Sequence, residues 1–433
     1  MTERRLVEEA LRAGVMGERL RAALGAGAGE ACHVLDAKYE PGLRCTVLYR
    51  LGRRLVRGDL DVADAGGDGG DAPGRPVVVP GVRLSVFPDD PDLPSLTAVT
   101  DPDGIAGPLR DAVPGDAGLG PTVRLLRYRP AKRATLALVP RCRADRTAPR
   151  GYVVKAYHNP GKAAAVASEA ALLAATAAGD GRPLFAPLVA HVPELSLVVH
   201  ARLPGRGLDE LLDPRVARPG PEASTGVRRA ALALAALHRQ PVVSRRHRPI
   251  DAELVRFGHR AARVAAVEPD AGARLADLAA RLTEVAATLP PAGSGLVHGD
   301  CKPSQFLLHD GGVAVLDLDH CGQADPAVDV GTFLASLRQR AVVDVHAGRI
   351  SPASAREWAR LLGERFRAAY LDAVGSDADL RARIRWYEAV ALERKALRAF
   401  ARSPRSPMPA ALVRQAHACL DTHDQDSHWR GDR

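Results

Sequence analysis

Apolar and polar positions follow a helical period at both ends of the chain and alternate as in strands between them. Residues 3–24 carry Leu6, Ala10, Val15, Leu20 and Leu24 on or near one stripe, which predicts a helix. The run CHVLDAKYEPGLRCTVLYRLGRRLV alternates on either side of Pro41-Gly42 and predicts a hairpin. VVV at 77–79 and VRLSVF at 82–87 predict further strands. They are flanked by a Gly-, Asp- and Pro-rich loop from Gly58 to Pro76 and by Pro- and Asp-rich linkage to about Pro121. VRLLRYRPAKRATLALV (123–139) predicts a second hairpin. It echoes the first, with Val123, Tyr128, Pro130, Arg133 and Thr135 at the spacing of Val34, Tyr39, Pro41, Arg44 and Thr46. Coincidence and one hairpin used twice both fit this echo.

GYVVKAY (151–157) and the pair LFAPLVAHV and LSLVVHARL (184–203) predict strands. Between them lies an Ala/Leu-rich helix at 159–179, opened by Pro160 and closed by Gly179. Beyond Gly205 the pattern is helical, near 222–239, 251–288, 325–343, 351–374, 377–402 and 408–422. A strand–loop–strand insert, GLVHGDCKPSQFLLHDGGVAVLDLDH (295–320), interrupts it. Strands first and helices afterwards define an α+β chain with two unequal lobes.

At 433 residues the chain is long enough for two to three domains. Its 46% hydrophobic and 26% charged content excludes collagen-like and disordered classes. No apolar run nears the ~20 residues that span a bilayer. The N-terminal MTERRLVEEALRAG has no signal-peptide core. The expectation is a cytoplasmic protein with no membrane partner. The six cysteines form no CxxC pair, so reduced thiols are expected.

The net charge of +9 is unevenly placed. From Gly58 to Gly120 twelve Asp face three Arg and no Glu, so that stretch is −9 and the rest of the chain +18. A basic body suits nucleic acid or a polyphosphate ligand equally. An aromatic content of only 4% argues against a base-stacking surface, so no nucleic-acid partner is expected. Lysine is scarce: Lys38, Lys132, Lys155, Lys162, Lys302 and Lys395 are all there are.

The informative stretch is 296–331, with His298-Gly299-Asp300…Gln305, then Leu316-Asp317-Leu318-Asp319, then Asp325-Pro326…Asp329. Upstream stand Val153-Val154-Lys155, a following helix whose one acid is Glu169, and LALAALHRQP at 232–241. Together these resemble the aminoglycoside phosphotransferase and small-molecule kinase branch of the protein-kinase-like fold. That branch reads H-G-D-x-x-x-x-N, a short hairpin, I-D-[FW] and D-P…D. The resemblance runs from about Val123 to near the C-terminus. It implies a bilobal protein-kinase-like fold, with a small β-rich N-lobe, a large helical C-lobe and an extra N-terminal segment. The expected divisions are residues 1–120 as extension or cap, 121–203 as N-lobe and 204–433 as C-lobe.

Phosphoryl transfer asks a protein for positioning, neutralised charge and an aligned hydroxyl. Asp300, central in a short loop, suits a carboxylate that accepts or orients the hydroxyl proton. Asp317, bounded by apolar residues, needs a partner or a cation if buried, and suits Mg²⁺. The two flank one hairpin. Asp319 is either a second metal ligand or a loop anchor. Gln305 departs from the family's Asn. It keeps the amide but moves its oxygen by ~1.5 Å, so either the site tolerates it or one metal contact is lost. Lys302 is a candidate to neutralise the transferred phosphate, or a solvated lysine.

The resemblance also implies a Lys155–Glu169 pair beside the phosphates and an adenine-binding hinge at His200–Gly205. The turn Arg129-Pro130-Ala131-Lys132-Arg133 has no glycine to wrap phosphates. Lys132 and Arg133 are the candidates to contact them instead, against the alternative of an exposed charged tip. Asp325 and Asp329 are expected as caps and loop anchors. His298, Cys301, His320 and Cys321 lack the spacing of a zinc site. The leading reading is an ATP- and Mg²⁺-dependent phosphotransferase acting on a hydroxyl of a small molecule. A kinase-like binding module with weak or no catalysis is the alternative. The sequence carries no signal for the acceptor's identity or for an oligomeric state.

Overall fold

The computed structural model describes residues 3–61, 77–79, 82–112, 122–139, 151–176, 184–216, 218–309, 312–375 and 377–421. The chain begins α1 (Glu3–Ala10), α2 (Ala13–Leu24), β1 (Cys32–Glu40), β2 (Arg44–Leu51), β3 (Arg54–Asp61), β4 (Val77–Val79) and β5 (Val82–Val86). It continues α3 (Leu96–Thr100), α4 (Pro102–Ala112), β6 (Thr122–Arg129), β7 (Arg133–Val139), β8 (Tyr152–Tyr157) and α5 (Pro160–Thr176). Next come β9 (Leu184–Phe185), β10 (Leu188–Val192), β11 (Leu197–Ala201), β12 (Arg206–Gly207), α6 (Leu208–Leu211), α7 (Pro221–His238), α8 (Asp251–Val267) and α9 (Pro269–Ala286). The chain ends with β13 (Gly295–Val297), β14 (Phe306–His309), β15 (Gly312–Val315), β16 (Gly322–Ala324), α10 (Ala327–His346), α11 (Pro352–Val374), α12 (Ala378–Arg402) and α13 (Met408–Asp421). It is an α+β chain, with strands concentrated in the N-terminal region and helices in the C-terminal one.

Contacts divide the chain into two units. The first holds residues 1–168, 187–202 and 400–405. It contains two five-stranded sheets, in the orders β1-β2-β3-β5-β4 and β10-β11-β8-β7-β6. Both belong to one core. Leu48 of the first sheet, Leu93, and Leu96, Val99 and Ile105 of α3 and α4 pack with Leu136, Leu138, Val154 and Val199 of the second. The opposite face of the second sheet gives Val198 and Tyr157 to a smaller cluster with Ala163, Val166 and Ala167 of α5. The end of α12 joins this unit through Phe400, stacked on Tyr39 at 6.2 Å, and Arg402, paired with Asp36 at 2.8 Å.

The second unit holds residues 169–186, 203–399 and 406–433. Its helices carry two small sheets, β12-β14-β15-β9 and β13-β16. α10 and α12 approach closely, because a Cβ on Gly331 would lie 2.5 Å from the Glu388 backbone nitrogen. Phe333 and Phe366 stack at 3.7 Å between α10 and α11.

Three expectations change. The helix over 3–24 is two, because Arg12 is extended (φ −89°, ψ 103°) and starts α2 afresh. The helix over 251–288 is a helical hairpin broken at Glu268-Pro269, since proline cannot continue a helix but can open one. The linkage before Pro121 contains α3 and α4. Most of the loop expected at 58–76 lies outside the described residues.

Candidate active site

The His298-Gly299-Asp300 loop follows β13, which pairs with β16 through Leu296–Gln323 and Val297–Gly322. That pairing sets the loop beside the chain leaving Asp317. Gly299 has φ +76°, and a Cβ there would meet Arg248 Nη1 at 2.1 Å and the His320 carbonyl at 2.2 Å. Only glycine fits. Arg248 straps the two loops by donating to the carbonyls of Gly299 (3.2 Å) and His320 (2.7 Å). Arg246 adds a bond to the Asp319 carbonyl at 3.0 Å.

Asp329, in the first turn of α10 and fully buried, holds the loop from behind. Its carboxylate accepts from the backbone N–H of His298 (2.6 Å) and Gly299 (2.8 Å) and from His238 Nε2 (3.1 Å). His238 Nδ1 in turn lies 2.8 Å from the Tyr370 hydroxyl. Burial alone would raise the Asp329 pKa. The His238 bond and charge, with the His298 contacts, instead bring it below the ordinary carboxylate value.

His298 ties the loop to the segment that follows β15. Its Nε2 donates to the Leu316 carbonyl at 2.8 Å, which leaves Nδ1 to accept from the Asp300 N–H at 3.3 Å. The Leu316 N–H donates to the Gln305 carbonyl at 2.8 Å. Both backbone groups of Leu316 are thereby clamped by the loop, one residue before Asp317. The antiparallel pair β14–β15, from Phe306–Val315 to His309–Gly312, completes the hairpin. Asp317 itself is left-handed (φ 58°, ψ 56°), a conformation Asp tolerates better than most residues.

The structure brings Asp300, Lys302, Gln305 and Asp317 together. Lys302 Nζ pairs with Asp300 Oδ2. Burial opposes ionisation of Asp300, but the Lys302 charge and hydrogen bond, aided by His298 and His320, hold its pKa below the ordinary value. Gln305 is buried, with its amide nitrogen 3.4 Å from Asp317 Oδ2, so its amide shares the Asp317 carboxylate's surroundings. Asp319 is buried in the next turn. Asp325 caps α10, accepting from the Ala327 N–H at 3.0 Å, and pairs with Arg383 at 3.0 Å.

The other expected residues divide between the two units. Lys155 belongs to the first unit, buried on β8 opposite Thr135 and Val198. Glu169 belongs to the second, where it accepts from Ser244 Oγ at 2.6 Å. Arg133 lies over the Tyr157 ring at 5.9 Å, and Lys132 lines a cavity of the first unit. Among the described residues no group of three or more His, Cys, Asp or Glu is arranged to hold a metal ion. Cys301 and Cys321 are buried thiols whose pKa is pushed up by burial, which leaves them poor zinc ligands.

Sequence reasoning missed two parts of this site. Arg246 and Arg248 belong to no motif. Lys395 of α12 is buried on hydrogen bonds to Ser336 (3.1 Å) and Gln339 (2.9 Å). Burial, with Arg398 nearby, lowers its pKa to about 7, and it feels the charges of Asp300 and Lys302. Its one signal was the scarcity of lysine.

One loop thus presents a carboxylate, Asp300, and is clamped to the segment that presents another, Asp317. The model of the phosphotransferase enzyme family, APH, matches residues 139–387, more than half of the chain. The chain belongs to that family and is a phosphotransferase by class. The match starts at the end of β7 and so leaves the first sheet outside.

No curated protein matches the chain. Among solved structures, a choline/ethanolamine kinase family protein from Mesorhizobium loti is 16% identical, covering 75% of this chain and 97% of its own, at a TM-score of 0.49. A glucosamine kinase with glucosamine, ADP and inorganic phosphate is 20% identical, covering 93% and 99%, at 0.47. An amicoumacin kinase with AMP-PNP and Ca²⁺ is 14% identical, covering 68% and 88%, at 0.46. Among the described residues no helix is long and apolar enough to cross a membrane.

Proposed function

We propose that the chain transfers the γ-phosphoryl group of ATP to a hydroxyl of a small molecule, such as a sugar, aminoglycoside or amino alcohol. The observation that carries this reading is the double clamp on Leu316, which sets Asp317 against the loop of Asp300. Asp300, ionised by its pairing with Lys302, orients the acceptor hydroxyl and takes its proton as the new bond forms. Lys302 offers a positive charge to the phosphoryl group in transfer. Lys155, with Glu169 as its expected partner, receives the phosphates of the nucleotide, and Arg133 stands at the hairpin tip as a further candidate, whereas Lys132 faces the first-sheet cavity instead.

The donor set fits Mg²⁺. The Asp317 carboxylate and the Gln305 amide oxygen are hard oxygen ligands, with Asp319 two residues on. Bound there, Mg²⁺ would neutralise charge on the phosphates. The chain's own part is to hold these oxygens and Asp300 in fixed geometry before substrate arrives. The test is ADP release from MgATP across a panel of hydroxylated metabolites, with product mass measured. A gain of one phosphoryl group on one acceptor is the expected result. ATP bound but never consumed across the panel would favour a binding module instead.

A further inference from the structure

The two sheets of the first unit repeat one pattern. In β1-β2-β3-β5-β4 and in β6-β7-β8-β11-β10, three consecutive strands pair in order and a later hairpin docks its second strand on the third. The first turns match as well. Gly42 (φ 71°) and Ala131 (φ 58°) are the left-handed residues of the two turns. The Leu43 N–H bonds the Glu40 carbonyl at 3.0 Å, and the Lys132 N–H bonds the Arg129 carbonyl at 3.1 Å. Cross-strand neighbours then correspond: Thr46, Asp59 and Arg83 in the first sheet take the places of Thr135, Lys155 and Val198 in the second. The echo in sequence between the two hairpins is thus a repeat in structure.

The first-sheet face that corresponds to the Lys155 face lines a cavity of about 770 Å³. Thr46, Asp59 and Arg83 form its floor, and Lys132 with the start of α5 forms another wall. This volume lies in the range of small-molecule sites. Five cations face it: Arg44, Arg57, Arg83, Lys132 and Lys162. Two carboxylates, Asp59 and Asp92, oppose them. Arg57 is already matched, by Asp59, Asp90 and Asp92. The excess positive charge therefore belongs to the rim. There, among the described residues, Arg44 pairs with Glu40 alone, at 3.5 Å, and Arg83 has no carboxylate partner. Partial burial against the cavity wall, with Lys38 and Arg44 crowding it and Glu40 offsetting them only in part, lowers the Lys132 pKa to about 8. The N-terminal end of α5 adds its partial positive charge. Leu43, Leu60 and Tyr157 supply an apolar surface beside these charges.

We propose that this cavity is a second ligand site, which binds a small molecule bearing one or more phosphoryl groups. Arg44, Arg83 and Lys132 hold the anionic group, and Leu43 and Tyr157 cover the body of the ligand. Guanidinium groups suit phosphoryl oxygens because they offer paired donors. The site stands on the first unit alone and does not rest on the kinase reading.

Calorimetric titration with inorganic tripolyphosphate tests it at physiological salt. The full-length native chain should bind, and Arg44→Glu with Arg83→Glu should weaken binding at least tenfold. Arg83→Gln alone should weaken it less. Asp317→Asn should retain the cavity's binding, which separates this site from the proposed catalytic one. Arg50→Glu with Arg53→Glu, exposed positions outside the cavity, serves as an equal-charge control and should also retain it. The proposal is overturned if the native chain does not bind, if the cavity variant binds as well as native, or if the control loses as much. A melting curve on each variant confirms folding. Should the doubly reversed chain fail to fold, Arg83→Gln decides on the same criterion, with unchanged affinity counting against the site.

Discussion

Asp329 in the second unit and Lys132 in the first are both charged groups set against protein walls, and the fold treats them oppositely. Asp329 is fully buried yet receives two backbone N–H groups and an imidazole. Lys132 keeps much of its surface in water yet stands among like charges. The first arrangement is complete without a ligand, which is what a loop that must hold still requires. The second carries more positive charge than the nearby carboxylates Glu40, Asp59 and Asp92 balance. A scaffold spends buried charge on rigidity where geometry matters and leaves charge uncompensated where something else is to bind. Mutations at the two places should therefore have opposite signs.

The largest effect belongs to Asp329→Ala. It strips three donors of their acceptor in a site without water access, and breaking such a network costs roughly 3–5 kcal/mol. The melting temperature should fall sharply, and activity should vanish with the loop's geometry. The native contribution also has a pH signature. Because the folded pKa is depressed, the stabilisation is complete above the unfolded carboxylate value and is lost as pH falls through the folded one. Acid unfolding of native and variant chains should converge below that point. A variant as stable as native at neutral pH would show that the loop is held by other means.

Asp300→Asn comes next, with an effect on rate rather than folding. Its carboxylate is partly exposed and pairs with Lys302 of its own loop. We expect kcat to fall by about 10²–10⁴-fold, with little change in melting temperature or MgATP binding. Asp317→Asn should instead lose Mg²⁺-dependent nucleotide affinity. Near-native kcat in both variants would remove both residues from the chemistry.

Much of this was legible. Strand alternation located β1, β2, β6, β7, β8 and β11, and the spacing of Asp300 and Asp317 located the hairpin they flank. The helices α3 and α4 were hidden because Pro94, Pro102 and Pro108 read as linkage. The buried Leu96 and Val99, three apart, were the available sign of a helix. Arg246 and Arg248 were hidden for a different reason. Arginine is so common in this chain that two more carry no signal, and their partners are backbone carbonyls. The position of Lys132 could not be read either, because whether a hairpin tip meets solvent, a ligand or another sheet depends on contacts distant in sequence. The echo of the two hairpins held that information in outline, and only the strand register turned it into a matched face.

Glu393 is the exception within the second unit, a buried carboxyl whose two oxygens have no hydrogen-bond partner. Burial, and then the charge of Glu253, raises its pKa to about 8. The folded chain keeps a proton there that the unfolded chain releases near pH 4.5, so Glu393 subtracts stability progressively as pH rises from that value to about 8. Glu393→Gln removes the titration. Relative to native, the variant should gain roughly 2–4 kcal/mol between pH 5 and pH 8. Parallel stability profiles for the two chains across that range would show that Glu393 has a donor after all.

The smallest effect, and the sharpest contrast with Asp329, is expected from Lys132→Met. Methionine keeps most of the length and the apolar stem while removing the ammonium that Lys38 and Arg44 crowd. A lysine whose folded pKa is lowered to about 8 costs stability increasingly as pH falls from 10.5 to about 8, and by a constant amount below that. Removing it should raise the melting temperature at pH 7 and do little near pH 10.5. The gain should stay under ~0.5 kcal/mol, because the side chain remains open to water and its repulsions are screened. Salt sharpens the reading further: the gain should shrink as ionic strength rises and the Debye length contracts. An anion held in the cavity should reverse the sign, since the ammonium then has a partner and its loss removes one. A Lys132→Met chain less stable than native in ligand-free, low-salt buffer would mean that the cavity's charge is already balanced, and the contrast with Asp329 would fail.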